Sequence, residues 1–119
     1  MDDSILNDVK KLLGIAPDYE HFDIDIIIHI NSAFMVLNQI GVGPSEGFSI
    51  RDSSSKWQDF TSDLQLIEAV RSYVYLSVRL VFDPPTTSFV LDAMKEKMKE
   101  YEWRINVMIE SGKEVKSDG

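Results

Sequence analysis

The sequence predicts an all-α fold, a compact bundle of about four helices, on three observations. Residues 63–82 carry apolar side chains around most of a helical circumference, so this segment needs covering on most sides. Three other segments repeat apolar residues at helical spacing. Glycine and proline residues separate the segments, as is typical of helix ends. Because neighbouring helices with short connections pack side by side, we expect a bundle around residues 63–82.

The central helix is predicted over residues 63–82, between a cap formed by Ser62 or Asp63 and a double proline. Its wide apolar arc, which extends to Val81 and Phe82, should supply most of the core. Arg71 lies at the edge of this arc. We expect it to pair with a carboxylate or a carbonyl oxygen, and a contact between subunits is the second interpretation. The core residues predicted on this helix are Leu66, Val70, Val74 and Val78.

Two helices are predicted before the central one, over residues 3–13 and 23–40. Each is followed by a glycine, Gly14 or Gly41, that can end a helix in the left-handed conformation. The second helix is predicted to start at a cap formed by Asp23 and to bury a broad apolar arc. That arc consists of Ile24, Ile27, Ile28, Ile30, Phe34, Met35 and Leu37, with Ile27 and Phe34 as predicted core residues.

Two asparagines, Asn31 and Asn38, lie inside the apolar arc of the second helix. Buried amides need hydrogen-bond partners. We expect these two amides to bond to a neighbouring helix or to loop backbone rather than to a ligand.

The segment 41–62 is long for a loop in a small domain, which is typical of a loop with a function or with structure of its own. The alternation of Phe48 and Ile50 indicates a short strand or hairpin. The spacing of Trp57 and Phe60 indicates one helical turn. These four apolar residues either pin the loop to the core, which is the favoured interpretation, or contact a partner protein.

The last helix is predicted over residues 88–111, with Gly112 as its terminator. One face should pack on the domain. The opposite, charged face carries three apolar residues that form a predicted protein-interaction site, because tryptophan is enriched at binding hot spots. The core residues are Met94, Met98 and Ile105, and the outward residues are Phe89, Trp103 and Val107. We thus expect residues 1–111 to form one domain and residues 112–119 to form a polar tail.

The composition excludes several classes of protein. The net charge is −8, and residues 1–63 hold 11 acids and 4 bases, which argues against wrapping nucleic acid. The absence of cysteine excludes disulfides and cysteine-ligated metals. No apolar run is long enough to span a membrane, and the acidic N-terminus is unlike a signal peptide. We therefore expect an intracellular protein that does not enter membranes.

One row of polar residues could in principle carry chemistry. Asp25 and His29 share a helical face, and Ser32 extends it. A hydrolytic triad also needs a preorganised pocket and oxyanion donors, and the sequence indicates neither. The residues favour a solvated helix face, no cofactor, no metal and no enzymatic activity, with a metal-dependent hydrolase as a remote alternative.

Five features follow one another along about residues 3–110: a short capped N-terminal helix, an isoleucine-rich helix ending in Gly41-Val42-Gly43, a loop with Trp57 and Phe60, a long helix ending in Phe82-Asp83-Pro84-Pro85, and a last helix with Trp103-Arg104. This order resembles the small head–tail connector proteins, also called adaptor or head-completion proteins, of long-tailed bacteriophages and prophages of Gram-positive bacteria. The Phe-Asp-Pro-Pro segment is its most specific part.

The resemblance implies a helical, non-enzymatic subunit of a ring, generally twelve-fold, below the portal vertex of the filled head. Such a ring extends the DNA channel, lets DNA pass without specific binding, and supports the stopper or tail-completion protein. The protein would assemble in the host cytoplasm and reside at the head–tail interface of the virion. The C-terminal segment of related proteins engages the portal. Here that segment corresponds to the end of the last helix and residues 112–119, with Lys113, Val115 and Lys116 as the expected contact residues. An adaptor that binds a soluble partner through the 41–62 loop is the alternative.

Overall fold

The computed structural model describes residues 3–118 of the chain and the side chains of residues 3–111. This part of the chain forms five helices and no β-strand, so the predicted all-α bundle is confirmed. The elements are α1 (Ile5–Leu12), α2 (Asp23–Gln39), α3 (Trp57–Phe60), α4 (Leu64–Phe82) and α5 (Ser88–Asp118).

The helix ends follow from local sequence. Gly14 and Gly41 adopt φ angles of 82° and 89° after α1 and α2. The amide that follows each glycine bonds back into the last turn of its helix, at 2.8 Å and 2.9 Å, which completes a Schellman motif. Ser4 caps α1 by accepting from the Asn7 amide, and the carboxylate of Asp63 caps α4. The predicted left-handed glycines are therefore confirmed.

Helix α4 is the element against which α1, α2 and α5 all pack. It buries Leu66, Ile67, Ala69, Val70, Tyr73, Val74 and Val78, which include its four predicted core residues. Val81 departs from the predicted arc: it is 62% exposed near the end of the helix, where no described residue covers it. The Tyr73 hydroxyl donates to Glu102 of α5 at 2.9 Å. Burial and this hydrogen bond raise the pKa of Tyr73.

Helix α2 buries a narrower set of residues, on a different side of the helix, than the sequence predicts. The buried residues are Ile26, Ile30, Ala33, Phe34 and Leu37. Phe34 confirms its predicted place in the core, and Ile27 is partly buried against it. Ile24, Ile28 and Met35, predicted as buried, are exposed. A helix packed along one side cannot bury so wide an arc, and the closely spaced isoleucines do not identify that side.

Asp23 does not cap α2 as predicted. It is the first residue of the helix, which has no side-chain cap. Its carboxylate instead lies 2.7 Å from the ammonium of Lys10, which is completely buried and donates to the carbonyl of Pro17 at 2.9 Å. This ion pair joins the end of α1 to the start of α2, and it removes Asp23 from the capping position.

The two asparagines of α2 hold the 41–62 loop. The Asn31 side chain accepts from the Ile50 amide at 2.8 Å and donates to the Ile50 carbonyl at 2.9 Å. The Asn38 side chain donates to the carbonyl of Pro44 at 3.2 Å. The expected bonds to loop backbone are confirmed. The predicted strand or hairpin at Phe48 and Ile50 is wrong, because a side-chain amide satisfies the backbone groups that a second strand would pair.

The loop also supplies a large part of the core. Ile50, Trp57 and Phe60 are buried, and Phe48 packs partly buried beside them. The ring of Phe34 lies 4.9 Å from that of Phe48 and 5.0 Å from that of Phe60, centroid to centroid. Trp57 and Phe60 begin and end α3, which confirms the predicted helical turn. The favoured interpretation, a loop pinned to the core, is thus confirmed.

A buried carboxylate joins three helices. Asp8 of α1 is 1% exposed and accepts from the Arg71 guanidinium of α4 through two hydrogen bonds, the longer being 3.0 Å. It also accepts from the indole nitrogen of Trp57 in α3 at 3.0 Å. The expected pairing of Arg71 with a carboxylate is confirmed, and the hydrogen bond to Asp8 raises the pKa of Arg71.

Helix α5 is longer than predicted. It was expected to end at Gly112 but continues to Asp118. One glycine inside a helix costs only about 1 kcal/mol relative to alanine, and the flanking lysines and glutamates favour helix. Of its predicted core residues, Ile105 is fully buried, Met98 packs partly buried against the core, and Met94 is partly exposed.

We expect Val74→Asp to prevent folding, because it buries an unpaired charge at a cost of several kcal/mol in a domain whose total stability is typically about 5 to 15 kcal/mol. The matched control is Val81→Asp, which makes the same change at an exposed position of the same helix. Far-ultraviolet circular dichroism checks both. Native-like helicity in the Val74→Asp protein would show that α4 is not the core.

We expect Arg71→Ala to lower the free energy of unfolding by about 3 kcal/mol, because it strips the buried Asp8 carboxylate of its charged partner. Asp8→Ala should cost a similar amount, and the double variant should cost clearly less than the sum. Urea titrations of the four proteins measure this coupling. Arg104→Ala, which breaks an exposed ion pair, serves as control and should leave the midpoint unchanged. Additive effects of Asp8→Ala and Arg71→Ala would disprove the coupling.

Candidate protein-interaction surfaces

The three outward residues of α5 lie where the sequence places them. Phe89, Trp103 and Val107 are 83%, 66% and 40% exposed, and together we call them the α5 outer face. At 100° per residue they fall on the side of the helix opposite the buried Ile105. Trp103 and Val107 are one turn apart and adjacent, whereas Phe89 lies about 21 Å from Trp103 along the axis.

Trp103 borders an open cleft of about 470 Å³, which is also lined by Ile40, Lys99, Glu102 and Asn106. Ile40 follows α2 and is itself 37% exposed. The cleft therefore extends the apolar surface of Trp103 toward the end of α2, and its remaining lining residues are polar or charged. A large apolar side chain beside a polar rim is typical of a binding surface for another protein.

The charges around the α5 outer face are mostly acidic. Three acids, Asp92, Glu96 and Glu110, are exposed and share its side of the helix with one exposed base, Lys99. Glu100 differs, because its carboxylate lies 3.2 Å from Lys97 and 2.8 Å from Arg104. Hydrogen bonds from these two side chains lower the pKa of Glu100. The unbalanced charge on this face is thus negative.

The apolar residues of the 41–62 loop, which were a possible binding site for a partner, pack in the interior of the domain. Ile50, Trp57 and Phe60 are buried and Phe48 is partly buried, so these side chains contact the core rather than solvent. A partner could reach them only by unfolding the loop from α2. The adaptor alternative, which depends on their exposure, therefore loses its support.

A second exposed apolar surface lies on α2, where sequence reasoning placed core. Ile24, Ile28 and Met35 are 76%, 55% and 59% exposed, and we call them the α2 stripe. Their spacing of four and seven residues puts them on one line along the helix. The signal for this surface was the excess width of the apolar arc of α2, which is more than a helix packed on one side can bury.

The remaining candidate residues contribute less to a site. Lys113, Val115 and Lys116 lie within the backbone span of α5, but their side chains are outside the described residues. The Ser32 hydroxyl donates to the carbonyl of Ile28 at 3.0 Å, so its proton is not directed to His29. The described residues contain no group of three or more histidine, aspartate or glutamate side chains that could hold a metal ion. Within the same residues, no helix combines the length and hydrophobicity required to cross a membrane.

Comparison with known proteins identifies the family. Residues 5–112 match a family whose description is phage connector protein. The chain belongs to this family. The match covers both exposed apolar surfaces and all five helices, apart from the last turns of α5. No curated protein and no solved structure matches the chain significantly.

Membership in the phage connector protein family gives the chain a structural role in a bacteriophage, as a head–tail connector and a component of the virion. It also implies contacts with other proteins of the phage head and tail. The family resemblance seen in the sequence is therefore confirmed.

We expect Trp103→Ala to leave the connector domain folded, because this side chain is two-thirds exposed. Trp57→Ala, the matched change at the other tryptophan, should unfold or strongly destabilise it, since truncating a buried tryptophan costs about 3 to 5 kcal/mol. Thermal unfolding followed by circular dichroism compares the two variants. Loss of the fold in the Trp103→Ala protein would place Trp103 in the core and remove it from the α5 outer face.

Proposed function

We propose that this phage connector protein is the subunit of a ring that joins the portal vertex of the head to the stopper or tail-completion protein and extends the DNA channel. The observation that carries the proposal is the match of residues 5–112 to the phage connector family. In this role the protein has no catalytic function and no cofactor. The ring is twelve-fold, as the sequence resemblance implies.

The α5 outer face supports lateral contacts between subunits. A closed ring needs heterologous contacts, in which one patch of each subunit binds a different patch of the next. Phe89, Trp103 and Val107 are exposed on a helix whose other side is firmly packed on α4. A rigid helix that presents an aromatic anchor loses little conformational entropy on binding.

The charge distribution supports a channel through which DNA slides. Residues 1–63 carry 11 of the 20 acids but only 4 of the 12 bases. A channel wall with excess negative charge repels the phosphate backbone, so that DNA passes without being held. We propose that part of this acidic half lines the channel; basic residues at the lumen of the assembled ring would contradict this.

The end of α5 supports attachment to the portal. The helix continues to Asp118, nine residues beyond Ile109, which is its last residue packed against the described core. We propose that this terminal segment, with Lys113, Val115 and Lys116, binds the portal protein. Helical segments at chain ends are well suited to docking in grooves of a partner.

We expect the purified chain to be monomeric or weakly associated alone and to form rings when mixed with portal complexes of the same phage. Native mass spectrometry should then show portal complexes carrying additional connector subunits. Deleting residues 112–119 should abolish this co-migration while leaving the domain folded, because Ile105 and Ile109 are retained. Absence of co-migration with the full chain would argue against the ring subunit, whereas binding of the truncated chain would refute only the role of the terminal segment.

A further inference from the structure

Among the residues that the structure describes, none covers the α2 stripe. Ile24, Ile28 and Met35 are each more than half exposed, although α2 already buries five residues on its other side. Single exposed apolar residues are normal on a protein surface, but three large ones in a row on one helix indicate contact with something else. The line from Ile24 to Met35 spans eleven residues, or about 16 Å of helix axis.

The charge around the α2 stripe differs from that around the α5 outer face. The residues that flank this line of α2 are the uncharged Asn31 and Ser32 and one exposed acid, Asp25, which lies one turn before Ile28. The α5 outer face instead has three exposed acids, Asp92, Glu96 and Glu110, and one exposed base, Lys99, beside its apolar residues. If two α5 outer faces met, these acids would oppose one another. The α2 stripe has one flanking acid instead of three, so the acids of α5 meet less repulsion there than at a second α5 outer face.

The two surfaces also have the arrangement that a ring requires. Helices α2 and α5 both pack against α4, and each exposes apolar residues on the side away from its buried residues. A subunit with two different, mutually compatible surfaces can bind one neighbour through each surface, and repeating this contact closes a ring. A single self-complementary surface gives only a dimer.

We propose that the α2 stripe of one copy packs against the α5 outer face of the next copy. Trp103 and Val107 cover apolar side chains of the α2 stripe, and the acids of α5 remain at the rim of the contact, in water. This pairing rests on the proposed function, because it specifies how neighbouring subunits of the ring meet. The occupant of the α2 stripe is thus a second copy of this chain.

Cysteine cross-linking tests the pairing, because the chain contains no cysteine of its own. Ile28→Cys and Val107→Cys place one thiol on each surface. After assembly on portal complexes, treatment of the double variant with a short bismaleimide should give a ladder of dimers, trimers and larger species. Mixing the two single variants should give dimers only, and either single variant alone should stay monomeric on a denaturing gel.

The possible outcomes distinguish failure of the proposed contact between the α2 stripe and the α5 outer face from failure of the proposed ring function. Rings that form without a cross-linked ladder would overturn the pairing and leave the proposed function intact. Cross-linked dimers of the Ile28→Cys protein alone would also overturn it, since they would show that two α2 stripes meet. Failure of the unsubstituted chain to assemble would refute the proposed function and, with it, the pairing.

A charge variant gives a second measurement. Ile28→Asp should weaken association of subunits by about tenfold or more, which corresponds to about 1.4 kcal/mol, because it places a charge opposite the acidic α5 outer face. Leu64→Asp is the matched control, since Leu64 is 69% exposed and belongs to neither surface. Sedimentation velocity of each variant mixed with portal complexes, under conditions in which the unsubstituted chain assembles, measures both, and circular dichroism verifies that both variants are folded. Equal association of the two variants would contradict the pairing.

Discussion

The buried carboxylate of Asp8 is the interaction on which the arrangement of the smaller elements depends. Helices α1 and α3 have eight and four residues and are too short to be stable alone. Asp8 connects both of them to α4, through Trp57 and Arg71. A buried charge is tolerated only with partners. The position of α1 therefore fixes where the indole of α3 must lie, and with it the end of the 41–62 loop.

This constraint explains why the loop belongs to the core. The indole of Trp57 is fully buried against the ring of Phe34, and Phe60 also packs against the ring of Phe34. The two asparagine contacts from α2 hold the preceding part of the loop. The aromatic residues of the loop, which could have contacted a partner, are therefore buried in the core of the folded domain. The surfaces left for partners are the outward sides of helices, which the packed interior holds rigid.

Much of this fold could be predicted from the sequence, because its determinants are local. The glycines after α1 and α2, the double proline after α4 and the apolar repeat of α4 are signals within a few residues of each other. The partners of Asn31, Asn38 and Arg71 could be predicted in kind, since buried polar groups must be satisfied. The identities of two of them could not, because Asp8 lies 63 residues from Arg71 and Ile50 lies 19 residues from Asn31. The same holds for Lys10, whose burial depends on meeting Asp23 and the Pro17 carbonyl.

The surfaces were harder to predict than the core. Phe89, Trp103 and Val107 stood out because they interrupt a charged face. The α2 stripe did not, because its residues are as apolar as the buried ones beside them, and only the packing of α2 on α4 separates the two sets. The chain belongs to the phage connector family. Contacts between its subunits would explain why both the α5 outer face and the α2 stripe are apolar and exposed. Electron cryo-microscopy of the connector bound to its portal tests this most directly. The proposed function predicts a closed ring in which Trp103 is buried between neighbouring subunits; isolated copies on the portal, with Trp103 in solvent, would contradict it.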